Sequence, residues 1–451
     1  MSPVPACAKP YADSFRCIGG ECEDSCCQGW KIPVDAAALE RYRSLPGSPL
    51  KSQIIAAIAP APAPRTEGFS ASAMPDASPI LRMNDDNRCP LLTPESLCSI
   101  HAQLGEDHLP SVCSSFPRVQ RQLGPVTETA LALSCPEAAR LVLLGPSILD
   151  SAMPKPSDPS APLFTAPAYF AEIRTTTLAL IGARNLPLWQ RLFLLCLLCQ
   201  RLDSIESGQI RADIPGYLAD FRAAAASGAL TPQIESTPFD PEAQLDAVLR
   251  LAGLMLHRSR VTARFTECVA AFTSGIGNGP TATLQTLTTA YSSAYSEWFA
   301  PFERRHPHVL ENYLINLVVL NRFPFGRASS APGSETPTST HQKGHEFGRL
   351  AAQLALTRGI LIGVAGHHRE RFSPEHVVHT VQAISRHFDH HPEFLSSAHA
   401  LLVDCHLDGV TGLSVLLRNA PPDQSLSVST PIPAKIQTSR IMKNGIKRRG
   451  W

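Results

Sequence analysis

Apolar residues recur at three- and four-residue spacing through Leu188–Leu202, Leu245–Leu256, Val261–Phe272, Leu284–Phe299, Val309–Leu320, Phe347–Val364 and Val377–Phe388. That period belongs to a helix with one buried face, so each stretch predicts an amphipathic helix. Gly216, Gly228, Pro280 and Pro301 punctuate the runs where helices must start or stop. Strand-type alternation persists nowhere beyond a few residues, and Leu123–Leu133 alone reads as one short hairpin. The pattern predicts a mainly α fold: a multi-helix body, with a Cys-rich, loop-dominated N-terminal module packed on it.

Changes of texture along the chain set the expected boundaries. Residues 11–144 form the Cys-rich module, interrupted at 46–79 by a Pro/Ala/Ser-rich insert of low complexity with one short apolar patch. A linker at 145–167 leads to a helical region at 168–326. A Ser/Thr/Pro-rich linker at 327–343 leads to a C-terminal helical region at 344–420, and the polar tail 421–451 is expected to be disordered.

Composition narrows the function classes. At 451 residues the chain is long enough for roughly two to four domains. Lys plus Arg total 40 against 39 Asp plus Glu, so there is no basic field of the kind that coats nucleic acid or an anionic membrane. The start lacks the basic and apolar regions of a secretory signal. The longest apolar run, Leu192 to Cys199, falls far short of the roughly 20 residues that span a bilayer. A cytoplasmic protein is expected, and in a reducing compartment thirteen Cys argue for metal ligation or buried thiols rather than disulfides.

Eight of those Cys lie in the first block. Cys17, Cys22, Cys26 and Cys27 fall within eleven residues, separated by small and polar side chains that let sulfurs converge. Cys89, Cys98, Cys113 and Cys135 follow, with His101 three residues beyond Cys98. Thiolates bind soft ions, so the eight are candidate ligands for zinc or an iron–sulfur cluster, furnishing either two four-ligand sites or one cluster with spare thiols. Adjacent side chains diverge, so Cys26 and Cys27 fit either one ligand and one packing residue or two different centres. The Cys-x3-Cys-x2-Cys spacing of radical S-adenosylmethionine chemistry is not met, because Gly29 stands where the third Cys would be. Cys196 and Cys199 sit in an apolar helical run and read as core.

These strings resemble the flagellin lysine-N-methylases, within the broader group carrying a CxxCxxCC-type zinc- or iron-chelating domain. The likeness runs through Phe15-x-Cys17 to Cys26-Cys27-x-Gly29-Trp30, through Cys89-Pro-Leu-Leu to Cys113 and Pro117-Arg118, and through Glu311-Asn-Tyr-Leu-Ile-Asn316, Arg322-Phe-Pro-Phe325, Glu346-Phe347 and Ser385-Arg386-x-x-Asp389-His390. It covers about half of the chain. The resemblance implies methyl transfer from S-adenosylmethionine to lysine amines of flagellin, by direct displacement. The Gly-rich turn of Rossmann-type methyltransferases is missing. Gly275-x-Gly277-x-Gly279, flanked by helical patterns and followed by Pro280, reads as a helix–helix loop.

Polar residues on apolar helices supply the candidate chemistry. Glu311, Tyr313, Asp389 and His390 are the candidate catalytic residues. Asn312, Asn316 and Arg386 are the candidate cofactor contacts. Buried amides must be paired, so Asn312 and Asn316 either hold a neighbouring element or bind a ligand. His367, His368, His376, His379, His387, His390 and His391 crowd the C-terminal region and read mainly as solvated or paired positions. The competing reading is a non-enzymatic zinc- or iron–sulfur-binding module acting as sensor, chaperone or electron carrier.

Overall fold

The computed structural model describes residues 11–29, 32–60, 78–123, 126–152, 155–156, 167–256, 262–326, 342–390 and 393–418. Cys7, Trp30, residues 61–77 of the 46–79 insert, the linker residues 327–341 and the tail from 419 onward lie outside them.

The predicted helical body is present. Its axis is the Lys343–His368 helix, buried from Leu350 through Ala365. That segment is long and apolar enough by composition to cross a membrane, yet 89% of its apolar window lies inside the protein. A helix apolar on every side belongs at the centre of a large core. The helices Leu188–Glu206, Pro241–Leu256, Ala263–Gly275, Glu393–Asp404 and Val410–Leu417 pack around it. Gly275 and Gly363 make the closest crossing: a Cβ on Gly275 would lie 1.8 Å from the Gly363 carbonyl oxygen. The backbones meet there only because neither residue has a side chain. The segment Gly275–Gly279 is thus the end of one helix and the loop to the next, Leu284–Ala294, as its flanking patterns predict.

The N-terminal region differs from expectation in two places. The hairpin pairs Arg118–Leu123 with Val126–Leu131, earlier than the predicted Leu123–Leu133. Its first strand is polar at Arg118 and through Gln120, Arg121 and Gln122, a run that hides it from an apolar-alternation test. Lys155–Pro156 adds a short third strand inside the expected 145–167 linker. Part of the expected insert is helical: Pro49–Ala57 starts on the Ser48 cap, whose hydroxyl accepts from Lys51 N at 3.1 Å, and buries Leu50 and Ile54. Serine as cap and proline in the first turn are standard helix-start chemistry.

Two cores result. The large one runs through the helical body and takes in Tyr11, Phe15, Leu131, Leu133 and Cys135. The small one gathers Ile32, Val34, Tyr42, Ile54, Leu91 and Ile100 beneath a three-stranded sheet in which Ile80–Leu81 lies between Ile32–Pro33 and Ile58–Ala59.

Candidate functional site

The Cys-rich strings fold as short turns held by backbone hydrogen bonds. Cys89 N donates to Cys27 O at 2.8 Å and Gly29 N to Asn87 O at 3.0 Å, tying the first string to the second. Gly29 sits at φ +90°, where a side chain would be strained.

The adjacent Cys26 and Cys27 part company. Cys27 packs on the small core with Cys89, Cys98 and Cys113. Cys26 is exposed, and its charge is felt by Cys22, Cys27, Cys89, Cys113 and Cys135, so it stands between the two strings, whereas Cys17 reaches Cys22. The sulfurs of Cys26 and Cys27 lie 3.8 Å apart. Their shared hydrogen bond draws the Cys26 thiol down to about 7 and leaves the proton on Cys27. Burial pushes Cys89 up to about 11 and Cys135 up to about 12, with neighbouring thiolates adding to each. Such a donor set suits a soft cation, which displaces protons that burial otherwise retains. Placement stops short of a coordination sphere: among the described residues no three His, Cys, Asp or Glu side chains form a group that could hold an ion. His101 is exposed on the Ser99–Leu104 helix.

The Cys loop is clamped to the helical body. Arg386, on the Pro374–His390 helix, donates from Nη1 to Asp24 Oδ2 at 2.5 Å and from Nη2 to the Gln28 carbonyl at 2.7 Å. Gln382, one turn earlier, donates from Nε2 to the same Asp24 oxygen at 2.7 Å and to Ser134 O at 2.9 Å. Its Oε1 accepts from Arg264 Nε at 2.9 Å. Arg386 therefore touches the Cys module directly.

The His308–Leu320 helix carries four more candidates, all buried. Glu311 accepts from Arg184 Nη2 at 2.7 Å and Arg191 Nη1 at 2.8 Å. Burial works to raise its pKa, but the two guanidiniums outweigh it and the carboxyl ends below its ordinary value. Asn312 Nδ2 donates to the Val142 carbonyl at 2.9 Å, and its Oδ1 accepts from Ile148 N at 3.2 Å, closing the end of the Pro136–Leu144 helix. Asn316 pairs with both main-chain groups of Leu131 and accepts from Tyr11 OH at 2.6 Å. Tyr313 OH lies 3.0 Å from Thr357 Oγ1. This helix is thus fastened to the strand, the turn and the arginines around it. Asp389 and His390 end the Pro374–His390 helix, and their side chains lie outside the described residues, as does His391.

An ion pair invisible to sequence reading joins the two halves. Arg174, fully buried, meets Glu128 at 2.6 and 3.0 Å and also donates to Val318 O at 3.1 Å. The one available signal was a lone Glu in the second hairpin strand, which reads as a solvated position.

Three of the histidines pack ring against ring. The His368 and His376 ring centroids lie 3.8 Å apart at a tilt of 35°, and those of His367 and His368 lie 4.8 Å apart, edge to face. Burial, with the charges of His376 and His367, lowers His368 to about 4. The folded chain then keeps His368 neutral while the unfolded chain protonates it near its ordinary 6.5. The unfolded state binds more protons in that window, so stability should fall as pH drops from about 6.5 towards about 4. His368→Gln should flatten this decline in thermal melts, and an unchanged slope would assign the acid sensitivity elsewhere.

Residues 174–416 match the profile of the FliB lysine N-methylase C-terminal domain. The lysine-N-methylases of Salmonella typhimurium (strain LT2) and Salmonella choleraesuis are each 26% identical over 180 residues, covering 37% of this chain and 40% of theirs. The flagellar biosynthetic protein FliU of Salmonella muenchen is 26% identical over 160 residues, covering 33% of this chain and 83% of its own. The match thus spans about 40% of the length of the two lysine-N-methylases. No solved structure matches. With more than half of its residues inside that one profile, the chain belongs to the FliB lysine N-methylase family.

Proposed function

We propose that this protein is an S-adenosylmethionine-dependent lysine N-methyltransferase that acts in the cytoplasm on surface lysines of flagellin. Family membership across residues 174–416 carries the reading, and the flagellar name of one relative supports the substrate class. The lysine amine loses a proton, its lone pair forms a bond to the methyl carbon, and the carbon–sulfur bond breaks to release S-adenosylhomocysteine. Glu311 is already neutralised by two arginines and Tyr313 is closed onto Thr357, so both support the helix that carries them. We place the base at Asp389 and His390.

The test is incubation of the full chain with flagellin and methyl-labelled S-adenosylmethionine, followed by mass spectrometry of the lysines. Methylated lysines are expected, at a rate that climbs with pH towards the lysine pKa of about 10.4. Asp389→Asn and His390→Gln should each slow turnover by about a hundredfold. Unmodified flagellin would overturn the reading and favour the non-enzymatic metal module.

The reading includes zinc or an iron–sulfur cluster held chiefly by Cys17, Cys22, Cys26 and Cys27, with Cys89, Cys98, Cys113 and Cys135 as further ligands. The bound group would fix the N-terminal loops. Because such binding energy is folding energy, Cys22→Ser should lower metal content and melting temperature together. Undiminished metal after replacing Cys17, Cys22, Cys26 and Cys27 at once would refute the ligand set.

A further inference from the structure

The positive charges of this chain are unevenly divided between the two basic residue types. Of the 40 Lys and Arg, only 8 are lysine. Within the matched family domain, residues 174–416, the imbalance sharpens to one lysine, Lys343, against 19 arginines. Lysine is ordinarily among the commonest residues of soluble domains. The two side chains hydrate a surface alike but differ as nucleophiles. The arginine pKa is about 12.5 or above against about 10.4 for an exposed lysine, so at neutral pH a lysine offers roughly a hundredfold more free base. The guanidinium also delocalises its electrons over a planar group. A surface that carries its positive charge on arginine is therefore inert towards a methyl donor that alkylates lysine amines.

The one lysine of the domain is out of reach. Lys343 is 3% exposed and begins the central helix, an end where the helix dipole disfavours a cation. Contacts from the last turn of the Leu188–Glu206 helix offset that cost. The Lys343 Nζ donates to Glu206 Oε2 and lies 5.5 Å from the centroid of the Phe325 ring. Asp203, one turn before Glu206, accepts from Lys343 N at 2.7 Å and from Gly344 N at 2.8 Å. To take a methyl group, the nitrogen would have to break with Glu206 and leave the core. Lys51 is the other lysine whose side chain is described, and its Nζ donates to the carbonyls of Arg43 at 2.8 Å and Leu45 at 2.5 Å. By contrast, Arg201, Arg211, Arg304, Arg305, Arg369 and Arg371 of the family domain are all exposed.

We infer that the family domain is built to stay outside its own substrate pool: its exposed cations are arginines, and its single lysine is held inside by Glu206. The inference rests on the lysine methyltransferase reading, because only an enzyme that alkylates surface lysines gains from such a surface. Every copy of the enzyme is present wherever the methyl donor and the catalytic centre are. An exposed lysine on a second copy would therefore compete with the protein substrate and use up donor. Arginine at the same position keeps the charge, and with it the solubility, without offering a free amine.

The test is mass spectrometry of both proteins after the full chain has been incubated with flagellin and methyl-labelled S-adenosylmethionine. In wild type, flagellin lysines should gain label while Lys343 and Lys51 stay unmodified. Arg201→Lys, Arg211→Lys, Arg304→Lys, Arg305→Lys, Arg369→Lys and Arg371→Lys are then made singly. Each keeps the surface charge and should leave circular dichroism and flagellin methylation unchanged. At least one introduced lysine should be methylated, at a level about tenfold or more above the label on the arginine it replaces. Label on Lys9, Lys31, Lys155, Lys435, Lys443 or Lys447 in wild type would support the inference, since it shows that the enzyme accepts its own chain where a lysine is offered. Label on Lys343 at the level reached on flagellin would overturn it. So would six unlabelled variants beside methylated flagellin, which would make substrate recognition, and not the choice of arginine, the barrier. Flagellin and all six variants without label would instead sink the methyltransferase reading, and the inference with it.

Discussion

Arg174→Met is expected to cost about 3–5 kcal/mol of folding stability, among the largest losses a single substitution can cause in this chain. The substitution strands the Glu128 carboxylate in a site where its side chain is 2% exposed and its partner's 0%. The pair itself need not stabilise the fold, because desolvating two charges offsets most of their attraction. A double change, Glu128→Met with Arg174→Met, should therefore recover most of the loss. Urea unfolding of the two singles and the double measures this directly. A single-variant loss below about 1 kcal/mol would mean that water reaches the pair. The pair joins Arg174, the first residue of the matched family domain, to Glu128 in the hairpin before it.

Arg386→Gln should release the Cys loop while the helical body stays folded. It removes a 2.5 Å contact to Asp24 and the donation to Gln28 O, both in a site where the Arg386 side chain is 8% exposed. Each 1.4 kcal/mol lost is about a tenfold rise in the open population, so alkylation of Cys22 in metal-free protein should accelerate by about tenfold or more. Arg386→Lys should not restore protection, because one ammonium cannot serve both acceptors in the planar geometry of a guanidinium. Far-ultraviolet circular dichroism should be unchanged. Equal alkylation rates in wild type and Arg386→Gln would show that the loop is held by other contacts. Coupled loss of methyl transfer would indicate that the reaction needs the loop in place.

Resemblance and structure meet unevenly at the candidate residues. The motif string makes Arg386 a candidate cofactor contact, and its side chain holds the Cys loop. Ser385, its neighbour in the same string, is buried with its hydroxyl unpartnered among the described residues. A one-residue step along a helix turns a side chain by about 100°, so a motif marks a region more surely than an atom.

The helical body, the Gly275–Gly279 loop and the grouping of thiols along the chain are legible from residue spacing, because each follows from local pattern. Apolar periodicity, caps and short Gly-containing turns act over fewer than about ten residues, within reach of a direct reading. It missed the true hairpin register and the Pro49–Ala57 helix, where polar strand positions and a Pro/Ala-rich composition mask the local preference. Which charges and thiols meet depends on the folded core. Asp24 and Arg386 are 362 residues apart, Tyr11 and Asn316 305, and Arg174 and Glu128 46. No propensity or spacing links such pairs. They find each other because a buried charge or amide must be satisfied, and the packing of the whole core determines which partner is within reach.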